Sequence, residues 1–275
     1  MKLPFFKYQG AENDFLLIDN RSRFFSSAHA RHVPELCERR RGVGADGVLL
    51  LENSEIADCR LRLFNSDGSE PAMCGNGLRC AADYLSRSLG IDEMRIEVLG
   101  RIYTCQKEET AIRVYLGAPR ILHWPLTLAL QGGVKDLYIL DTGVPHAVLL
   151  VEKIDDFPFV CWGKQVRLHA AFAPAGVNVN FLSIAEDGSL FLRTYERGVE
   201  GETAACGSGA AAAAFVARKL YAQEDPVIVQ TRCSLEEMRF HKSLRFFFPR
   251  IAQEEEIVMV GPATCVFFGE VEVDG

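Results

Sequence analysis

The amino-acid sequence predicts an α+β fold made of two pseudosymmetric domains, each with a buried helix among strands. Short runs of β-type residues outnumber helical runs along the 275 residues. The pattern Cys-Gly-polar-Gly occurs once in each half, at Cys74 and at Cys206, and opens a predicted helix both times. Each copy follows a predicted strand and a polar loop, which is typical of an internal duplication.

Strands account for most of the predicted elements. Several of them alternate apolar and polar residues, as half-buried strands do. Gly188, in the segment "AEDGSLF", marks a hairpin turn between two of them. The runs that we interpret as strands are 14–19, 47–52, 59–65, 111–116, 146–152, 177–184, 189–196, 225–231 and 263–273.

Helical signals are fewer and fall at 32–41, 76–90 and 208–221. Gly90 is a favourable C-terminal stop for the second of these helices. The third contains an unbroken run of alanines from Ala210 to Ala214. Alanine favours helix and has almost no side chain, so this helix can lie very close to surrounding strands. We therefore expect a buried central helix.

The two cysteine motifs occupy equivalent places in the halves. Cys74 lies 10 positions after Phe64, and Cys206 lies 11 positions after Tyr195. The two cysteines are 132 positions apart, close to half of the chain. A pseudo-twofold arrangement would bring them face to face across a cleft. The segment 117–126, which has two prolines, is the expected crossing between the halves.

Bulk composition excludes several classes of protein. The net charge is -7, so no basic excess is available to attract nucleic acid or an anionic membrane. The N-terminus has no signal-peptide pattern, and no apolar run approaches the roughly 20 residues of a membrane helix. These features predict a cytoplasmic protein. The nine cysteines are dispersed, without a C-x-x-C pair, which argues against a disulfide scaffold or zinc ribbon. Most are expected to be buried, and Cys80 to face the core.

A cysteine followed by Gly-polar-Gly at a helix start suits a particular chemistry. The helix N-terminus presents unpaired N–H groups and a positive dipole end, which bind a carboxylate and lower the pKa of a thiol. A lone cysteine there more often marks only a tight turn, but the repetition favours function. Two such sites could hold one carboxylate and place sulfurs on opposite faces of the adjacent carbon. One thiolate would remove a proton and one thiol would return it, without metal or pyridoxal cofactor.

A glycine pattern elsewhere resembles a nucleotide-binding motif. Gly42, Gly44 and Gly47 fit G-x-G-x-x-G. That motif must follow a strand and open a helix, whereas here a helical segment precedes it and a strand follows. We therefore reject a dinucleotide site.

The combined motifs closely resemble the diaminopimelate epimerase family, cofactor-independent enzymes with two cysteine bases. The resemblance covers nearly the whole chain, and its motifs occur in the family's order. They are "ENDFLLID", "GVGADGVL", "FNSDGSEPAMCGNGLRC", "PHAV", "GVNVNF" and "YERGVEGETAACGSGA". The resemblance implies an amino acid substrate, and most specifically the interconversion of LL- and meso-diaminopimelate for lysine and peptidoglycan synthesis.

The resemblance also implies roles for individual residues. Cys74 and Cys206 would be the two bases, with the polar groups of His146 and Glu196 beside them, within reach of the substrate's amino group. Arg197 would pair with a distal carboxylate through its forked guanidinium. The expected substrate-binding residues are Asn13, Asn65, Gly75, Asn76, Asn178, Glu196, Arg197, Gly207 and Ser208. No metal site is expected.

The family's fold implies a curved mixed sheet around a central helix in each domain. The expected domains are 1–119 and 120–262, with the last strand, 263–275, packing back onto the first domain. A homodimer is a possible assembly.

Two positions depart from the family's pattern. Val144 stands where asparagine is usual, and the first motif reads Gly-Ala-Glu-Asn-Asp instead of Gly-Leu-Gly-Asn-Asp. Both departures bear on substrate stringency, with possible relaxation toward other acidic amino acids. The alternatives are a proline-type racemase, a thiol redox protein with a Cys74–Cys206 disulfide, and a non-catalytic amino-acid-binding protein. Proline lacks a second polar end for Asn178 and Arg197 to hold. A redox protein does not need the Gly-polar-Gly anion sites, and a binding protein does not need cysteine at both positions.

Overall fold

The computed structural model describes residues 2–71, 73–203, 206–232, 240–251 and 254–273. The chain divides into two compact units. The first comprises Met1–Tyr115 and Val260–Gly275, and the second comprises Leu116–Met259. Each division lies a few residues before the corresponding boundary predicted from the sequence. Among the described residues, no helix has the length and apolar character needed to cross a bilayer.

The elements of the first unit, up to the crossing, are mostly strands. They are β1 (Lys2–Gly10), β2 (Asn13–Asp19), a 3₁₀ turn (Ser27–His32), α1 (Val33–Cys37), β3 (Gly47–Glu52), β4 (Cys59–Asn65), α2 (Gly75–Leu89), β5 (Glu93–Val98), β6 (Arg101–Glu108) and β7 (Ala111–Gly117).

The second unit has the same character, and the last strand then returns to the first unit. The elements are β8 (Arg120–Leu130), β9 (Gly133–Asp141), β10 (Pro145–Leu150), α3 (Phe159–Arg167), a 3₁₀ turn (Ala170–Phe172), β11 (Asn178–Ile184), β12 (Leu190–Glu196), β13 (Gly201–Thr203), α4 (Gly207–Tyr221), β14 (Val227–Arg232), β15 (Phe240–Phe247), β16 (Arg250–Ile251), β17 (Glu254–Glu255), β18 (Ile257–Pro262) and β19 (Thr264–Glu272).

Strand pairing in the first unit is mixed. β1 pairs antiparallel with β2 and with β19, so the end of the chain completes this unit. β2 pairs parallel with β3, and β3 pairs antiparallel with β4. β4 pairs parallel with β5, and β5 and β6 continue antiparallel into β7. The two parallel connections contain α1 and α2, because parallel neighbours require a crossover.

The second unit repeats this order of pairings. β8, β9 and β10 are antiparallel neighbours, and β10 pairs parallel with β11. β11 is antiparallel to β12, which is parallel to β14, and β14 is antiparallel to β15. The parallel connections contain α3 and α4. The shared topology supports the duplication inferred from the two cysteine motifs.

Each unit packs its strands around one helix. α2 contacts strands β1 to β6 and β19, and α4 contacts β9 to β12, β14 and β15. The first eleven residues of α4 are buried, including the alanine run. Small side chains allow this close approach of helix and strands, which explains the composition. Gly90 ends α2 in the left-handed conformation, at φ 69°.

Most predicted elements are observed, with two notable differences. α1 ends at Cys37 instead of Arg41, because backbone N–H groups of Val43 and Gly44 bond to the Leu36 carbonyl and turn the chain back. The expected crossing segment lies mostly within β8. Register shifts between β8 and β9 accommodate Pro125, which has no N–H to donate. Residues 274–275 of the last predicted strand lie outside the described residues.

Candidate functional site

Cys74 forms the N-cap of α2. Its backbone is extended, with φ -141° and ψ 109°, and its carbonyl accepts from Leu78 N at 2.9 Å. The Gly77 N–H donates to Cys74 Sγ at 3.4 Å. The side chain is half-buried. The sulfur therefore lies at the positive end of a helix, where backbone donors stabilise negative charge.

Two amides next to Cys74 have fixed orientations. Asn13 Nδ2 donates to a carboxylate oxygen of Asp46 at 2.8 Å, and Arg79 donates to Asn76 Oδ1 at 2.8 Å. Because a carboxylate only accepts and a guanidinium only donates, neither amide can be reversed. Asn76 Nδ2 then donates to Asn13 Oδ1 at 3.1 Å, and the same oxygen lies 3.9 Å from Cys74 Sγ.

Charged groups anchor this arrangement from the sheet side. Arg39 donates to the carboxylates of both Asp14 and Asp46, and Lys7 pairs with Asp14 at 2.7 Å. Burial alone would raise the pKa of Asp14, but hydrogen bonds from Arg39 and Lys7 outweigh it and lower this pKa to about 2. Asp14 therefore stays ionised.

Two further predicted residues of the first unit lie at the end of β4 and at the start of α2. Asn65 is exposed at the end of β4, and its Nδ2 donates to Ser69 Oγ at 2.9 Å. Gly75 is the first residue of α2 and is buried. Their predicted substrate contacts stay a prediction.

Cys206 forms the N-cap of α4 with nearly the same backbone conformation, φ -124° and ψ 103°. Its carbonyl accepts from Ala210 N at 2.9 Å. Its half-buried Sγ lies 3.6 Å from Ser208 Oγ. Gly207 and Ser208 are buried in the first turn of the helix. The two repeats thus present a cysteine at the same position of their central helices.

His146 is fully buried beneath the start of α4. Its Nε2 lies 2.9 Å from Ser208 Oγ, and its Nδ1 lies 3.0 Å from Asn180 Nδ2. Burial lowers the pKa of His146 to about 3, and the charge of Arg197 acts in the same direction. His146 is therefore neutral near pH 7, and both its ring nitrogens are engaged within this unit. Its predicted approach to the substrate amino group stays a prediction.

The remaining predicted residues of the second unit lie where β11 begins and β12 ends. Asn178 Oδ1 accepts from the backbone N–H of Arg197 at 2.8 Å. Burial raises the pKa of Glu196, the last residue of β12. The Arg197 side chain is half-buried and contacts the Ala175 carbonyl at 3.5 Å. Their predicted roles in binding are untested.

Sequence reasoning missed the residues that orient these groups. They are Asp46 and Arg79 in the first unit and Asn180 and Thr194 in the second. Asn180 and Thr194 are buried polar residues in otherwise apolar strands. Buried polar side chains are rare enough to be a signal, and the alternation in "NVNF" places Asn180 on the same strand face as Asn178. Among the described residues, no cluster of three or more His, Cys, Asp or Glu side chains could hold a metal ion.

Comparison with known proteins identifies relatives along the whole chain. The model of the diaminopimelate epimerase family matches residues 5–122 and 138–243. A diaminopimelate epimerase of Chlorobaculum tepidum is 36% identical over 267 residues, covering 95% of this chain and 98% of the relative. One from Archaeoglobus fulgidus is 36% identical over 284 residues, covering 98% and 96%. One from Chlamydia muridarum is 38% identical over 222 residues, covering 79% and 78%.

Solved structures share the fold at low sequence identity. A PhzF-family phenazine biosynthesis protein of Bacillus anthracis superposes with TM-score 0.75 at 16% identity, covering 99% of this chain and 100% of the other. A probable proline racemase of Agrobacterium radiobacter gives TM-score 0.71 at 14% identity, covering 99% and 93%. These likenesses establish the two-repeat α+β architecture.

Proposed function

Because the chain belongs to the diaminopimelate epimerase family, we propose that it interconverts LL- and meso-diaminopimelate, independently of pyridoxal phosphate. The observation that carries the proposal is the repeated cysteine cap. Cys74 and Cys206 hold the same backbone conformation at the same position of two topologically equivalent helices. Inversion of a carbon needs an acid and a base on opposite faces, which a duplicated cysteine site can provide.

In the proposed reaction each sulfur has one task per turnover. One cysteine, as thiolate, takes the α-proton and becomes a thiol, and the electron pair stays on the carbon next to the carboxylate. The other cysteine, as thiol, gives its proton to the opposite face and becomes a thiolate. The N–H groups at the starts of α2 and α4 stabilise the negative charge that spreads onto the carboxylate.

The other predicted residues bind the substrate in this proposal. Asn76 and Ser208, with Gly75 and Gly207, form the two helix starts that hold the reacting carboxylate. Arg197 pairs with the distal carboxylate. The polar groups assigned to the remaining substrate contacts are Asn13, Asn65, Asn178 and Glu196.

The proposed setting follows from the activity. Diaminopimelate is used for lysine and peptidoglycan, so we place the enzyme in the cytoplasm, with a small amino acid as its only ligand and no nucleic acid or membrane partner. Cell fractionation would test this placement.

A homodimer is the proposed assembly. The residues Val266, Phe267 and Phe268 of β19 are 57%, 47% and 78% exposed, which favours burial against a second copy. Analytical ultracentrifugation of the parent and of Phe268→Glu would reveal a monomer in both if this proposal is wrong.

Deuterium incorporation tests the activity directly. In deuterated buffer the parent should exchange the α-hydrogen of diaminopimelate and interconvert its isomers.

We predict that Cys74→Ala and Cys206→Ala each reduce epimerisation at least a thousandfold, because inversion needs both sulfurs, while Cys161→Ala, another half-buried cysteine, keeps the parent rate. Full activity in either variant would contradict the two-base reaction. The same assay with proline separates a proline-type racemase, and absence of any exchange would favour a redox or binding protein.

A further inference from the structure

The side chains that pack beneath the first turn of the central helix differ between the two repeats. In the first unit a Cβ on Gly77 would meet Leu63 and Leu49, which are opposite each other on β4 and β3. In the second unit a Cβ on Gly209 would lie 2.2 Å from Asn180 Oδ1. Asn180 is paired with Thr194 across β11 and β12. Two buried leucines in one repeat therefore correspond to two buried polar residues in the other.

A second replacement lies on the neighbouring strand. The register pairs Phe15 of β2 with Gly47, and it pairs His146 of β10 with Asn178. His146 thus occupies the place of a phenylalanine. Burying polar groups where the sister repeat is apolar is unfavourable unless each is hydrogen-bonded. Here each polar group is hydrogen-bonded, and the set lies beneath the helix that follows Cys206, whereas apolar residues lie beneath the helix that follows Cys74.

The hydrogen bonds of this polar set have a defined direction. Asn180 Nδ2 donates to the Ala147 carbonyl at 3.2 Å, and its Oδ1 accepts from Thr194 Oγ1 at 3.0 Å. The amide cannot be reversed, because a carbonyl only accepts. Asn180 Nδ2 is therefore also the donor to His146 Nδ1. An imidazole that accepts at Nδ1 carries its proton on Nε2 when neutral, so His146 donates to Ser208 Oγ.

The hydrogen bond from His146 leaves the Ser208 hydroxyl able to donate to the sulfur of Cys206. Ser208 Oγ receives the hydrogen of His146 Nε2, so its own hydrogen cannot point at the imidazole. Cys206 Sγ lies 3.6 Å from the same oxygen. A hydroxyl free to donate stabilises the thiolate form of that cysteine. In the first unit Asn76 stands at the position of Ser208, and its amide donates to Asn13 Oδ1. Cys74 Sγ accepts from the Gly77 N–H and lies 3.9 Å from Asn13 Oδ1.

We propose that Asn180 and Thr194 are positioning residues that act through His146 and Ser208 to set the ionisation of Cys206 independently of Cys74. The inference concerns the same site as the proposed epimerase function. It rests on that function only where the ionisation of Cys206 is given a role in catalysis. The two bases are then chemically distinct despite their common cap geometry.

The hydrogen bonds from Thr194 through Asn180, His146 and Ser208 to Cys206 form a relay whose members are uncharged. The low pKa of His146 excludes an imidazolium over the working range of pH. Ionisable groups at this end of the unit include Glu196, the last residue of β12, Arg197 after it, and Asp141 at the end of β9. Asp141 is paired with Arg120 at 3.2 Å. None of these groups is altered by the substitutions that test the relay.

The pH dependence of thiol alkylation provides the test. The parent and its variants are treated with iodoacetamide between pH 5 and 10 without substrate, and Cys74 and Cys206 are quantified separately by peptide mass spectrometry. Asn180→Leu, which copies Leu49, should raise the midpoint for Cys206 by about one pH unit, since a hydrogen bond to a charged group is lost. Thr194→Val should raise the Cys206 midpoint by less, and Thr194→Ser, which keeps the hydroxyl, should leave it at the parent value. Cys74 in the same molecule is the internal reference.

Controls separate positioning from loss of structure. Val179→Ala removes buried apolar volume from the same strand and should leave the Cys206 midpoint unchanged. Nitrogen NMR of ¹⁵N-histidine parent protein, with His146 identified by its loss in His146→Gln, should find Nδ1 unprotonated and Nε2 protonated. A protonated Nδ1 in the parent overturns the proposal, as does a midpoint that does not move in Asn180→Leu or moves equally at both cysteines. These readouts need no turnover, so they remain decisive even if diaminopimelate proves not to be the substrate.

Discussion

Val144 is a single residue whose side chain offers no hydrogen bond at a place where the family usually has asparagine. It is half-buried in the turn between β9 and β10, and its carbonyl accepts from Thr142 N at 3.3 Å. Thr142 Oγ1 in turn donates to the Ser208 carbonyl at 2.8 Å, so this turn is tied to the start of α4. A substrate-binding role for position 144 is therefore compatible with where the residue lies.

Substitution of Val144 should change substrate discrimination. We predict that Val144→Asn raises the ratio of kcat/KM for diaminopimelate to kcat/KM for glutamate by about tenfold, because one hydrogen bond is worth about 0.5–1.5 kcal/mol. Val144→Ala is the control, since it shortens the side chain without adding a polar atom and should not raise the ratio. Equal ratios in the parent and Val144→Asn would mean that this position does not set stringency.

Asp14 makes stability depend on pH. Its pKa in the folded chain is about 2, below the ordinary value of 3.8. The ionised carboxylate therefore stabilises the fold above the ordinary pKa, and this contribution is lost as the pH falls from about 4 through 2. The difference corresponds to about 2 kcal/mol. We expect the free energy of unfolding in urea to fall less between pH 6 and pH 2.5 in Asp14→Asn than in the parent. Exposed Glu55→Gln should keep the parent's dependence, and an identical slope in Asp14→Asn would refute this account.

At this scale the sequence identified the reactive side chains but not those that orient them. Cys74 and Cys206 were recognisable because their motif is local and repeated. Asn180 bonds to His146, which is 34 positions away, and Arg79 bonds to the Pro262 carbonyl, 183 positions away. Such contacts depend on strand register and on the return of the chain end. A motif a few residues long contains neither.

Among the elements, the first turn of α2 is constrained by the strands beneath it. Gly77 sits there, and an added Cβ would lie 2.7 Å from Leu63 Cδ2 and 3.0 Å from Leu49 Cδ2. Both leucines are buried, so neither can move without disturbing the core. The glycine is required by packing, although alanine is the better helix former.

Replacement of Gly77 should therefore cost stability. We predict that Gly77→Ala lowers the free energy of unfolding by about 1–2 kcal/mol, because overpacking costs more than the roughly 1 kcal/mol that helix propensity returns. Ser88→Ala, at an exposed position of the same helix, should be neutral or slightly stabilising. Chemical denaturation with both variants makes the comparison, and a Gly77→Ala protein as stable as the parent would contradict the packing explanation.

Elements with a buried, continuous apolar pattern were predicted closely. β3 and β4 begin and end at the predicted residues, and α2 and α4 each begin one residue earlier than predicted. Several strands were missed, among them β5, β6 and β9, which contain no proline. β1 and β8 were also missed, and each contains a proline, Pro4 and Pro125, which argues against a strand in local reasoning. Both are nevertheless paired, β1 with β2 and β19 and β8 with β9, so tertiary pairing overrides the local signal.

For the whole molecule, the repeat explains why one chain uses two separate helix starts. In the proposed reaction a single unit would provide one cysteine and one helix start for the carboxylate, which would suffice to remove a proton but not to return it to the other face. Duplication provides the second set, and divergence beneath α4 then gives the second cysteine different hydrogen-bonding partners.

Oxidation tests whether the two sulfurs act on one carbon, as the proposed reaction requires. If the two thiols act on one substrate carbon, diamide should accept two electrons and two protons from them when the substrate is absent and leave a Cys74–Cys206 disulfide. We expect activity to be lost and then restored by dithiothreitol, and saturating diaminopimelate to slow the loss at least tenfold. Non-reducing peptide mapping identifies the cross-link, with Cys161→Ala as the control that should oxidise at the parent rate. Inactivation with both sulfurs still free, or with a bridge to another cysteine, would contradict a shared substrate carbon.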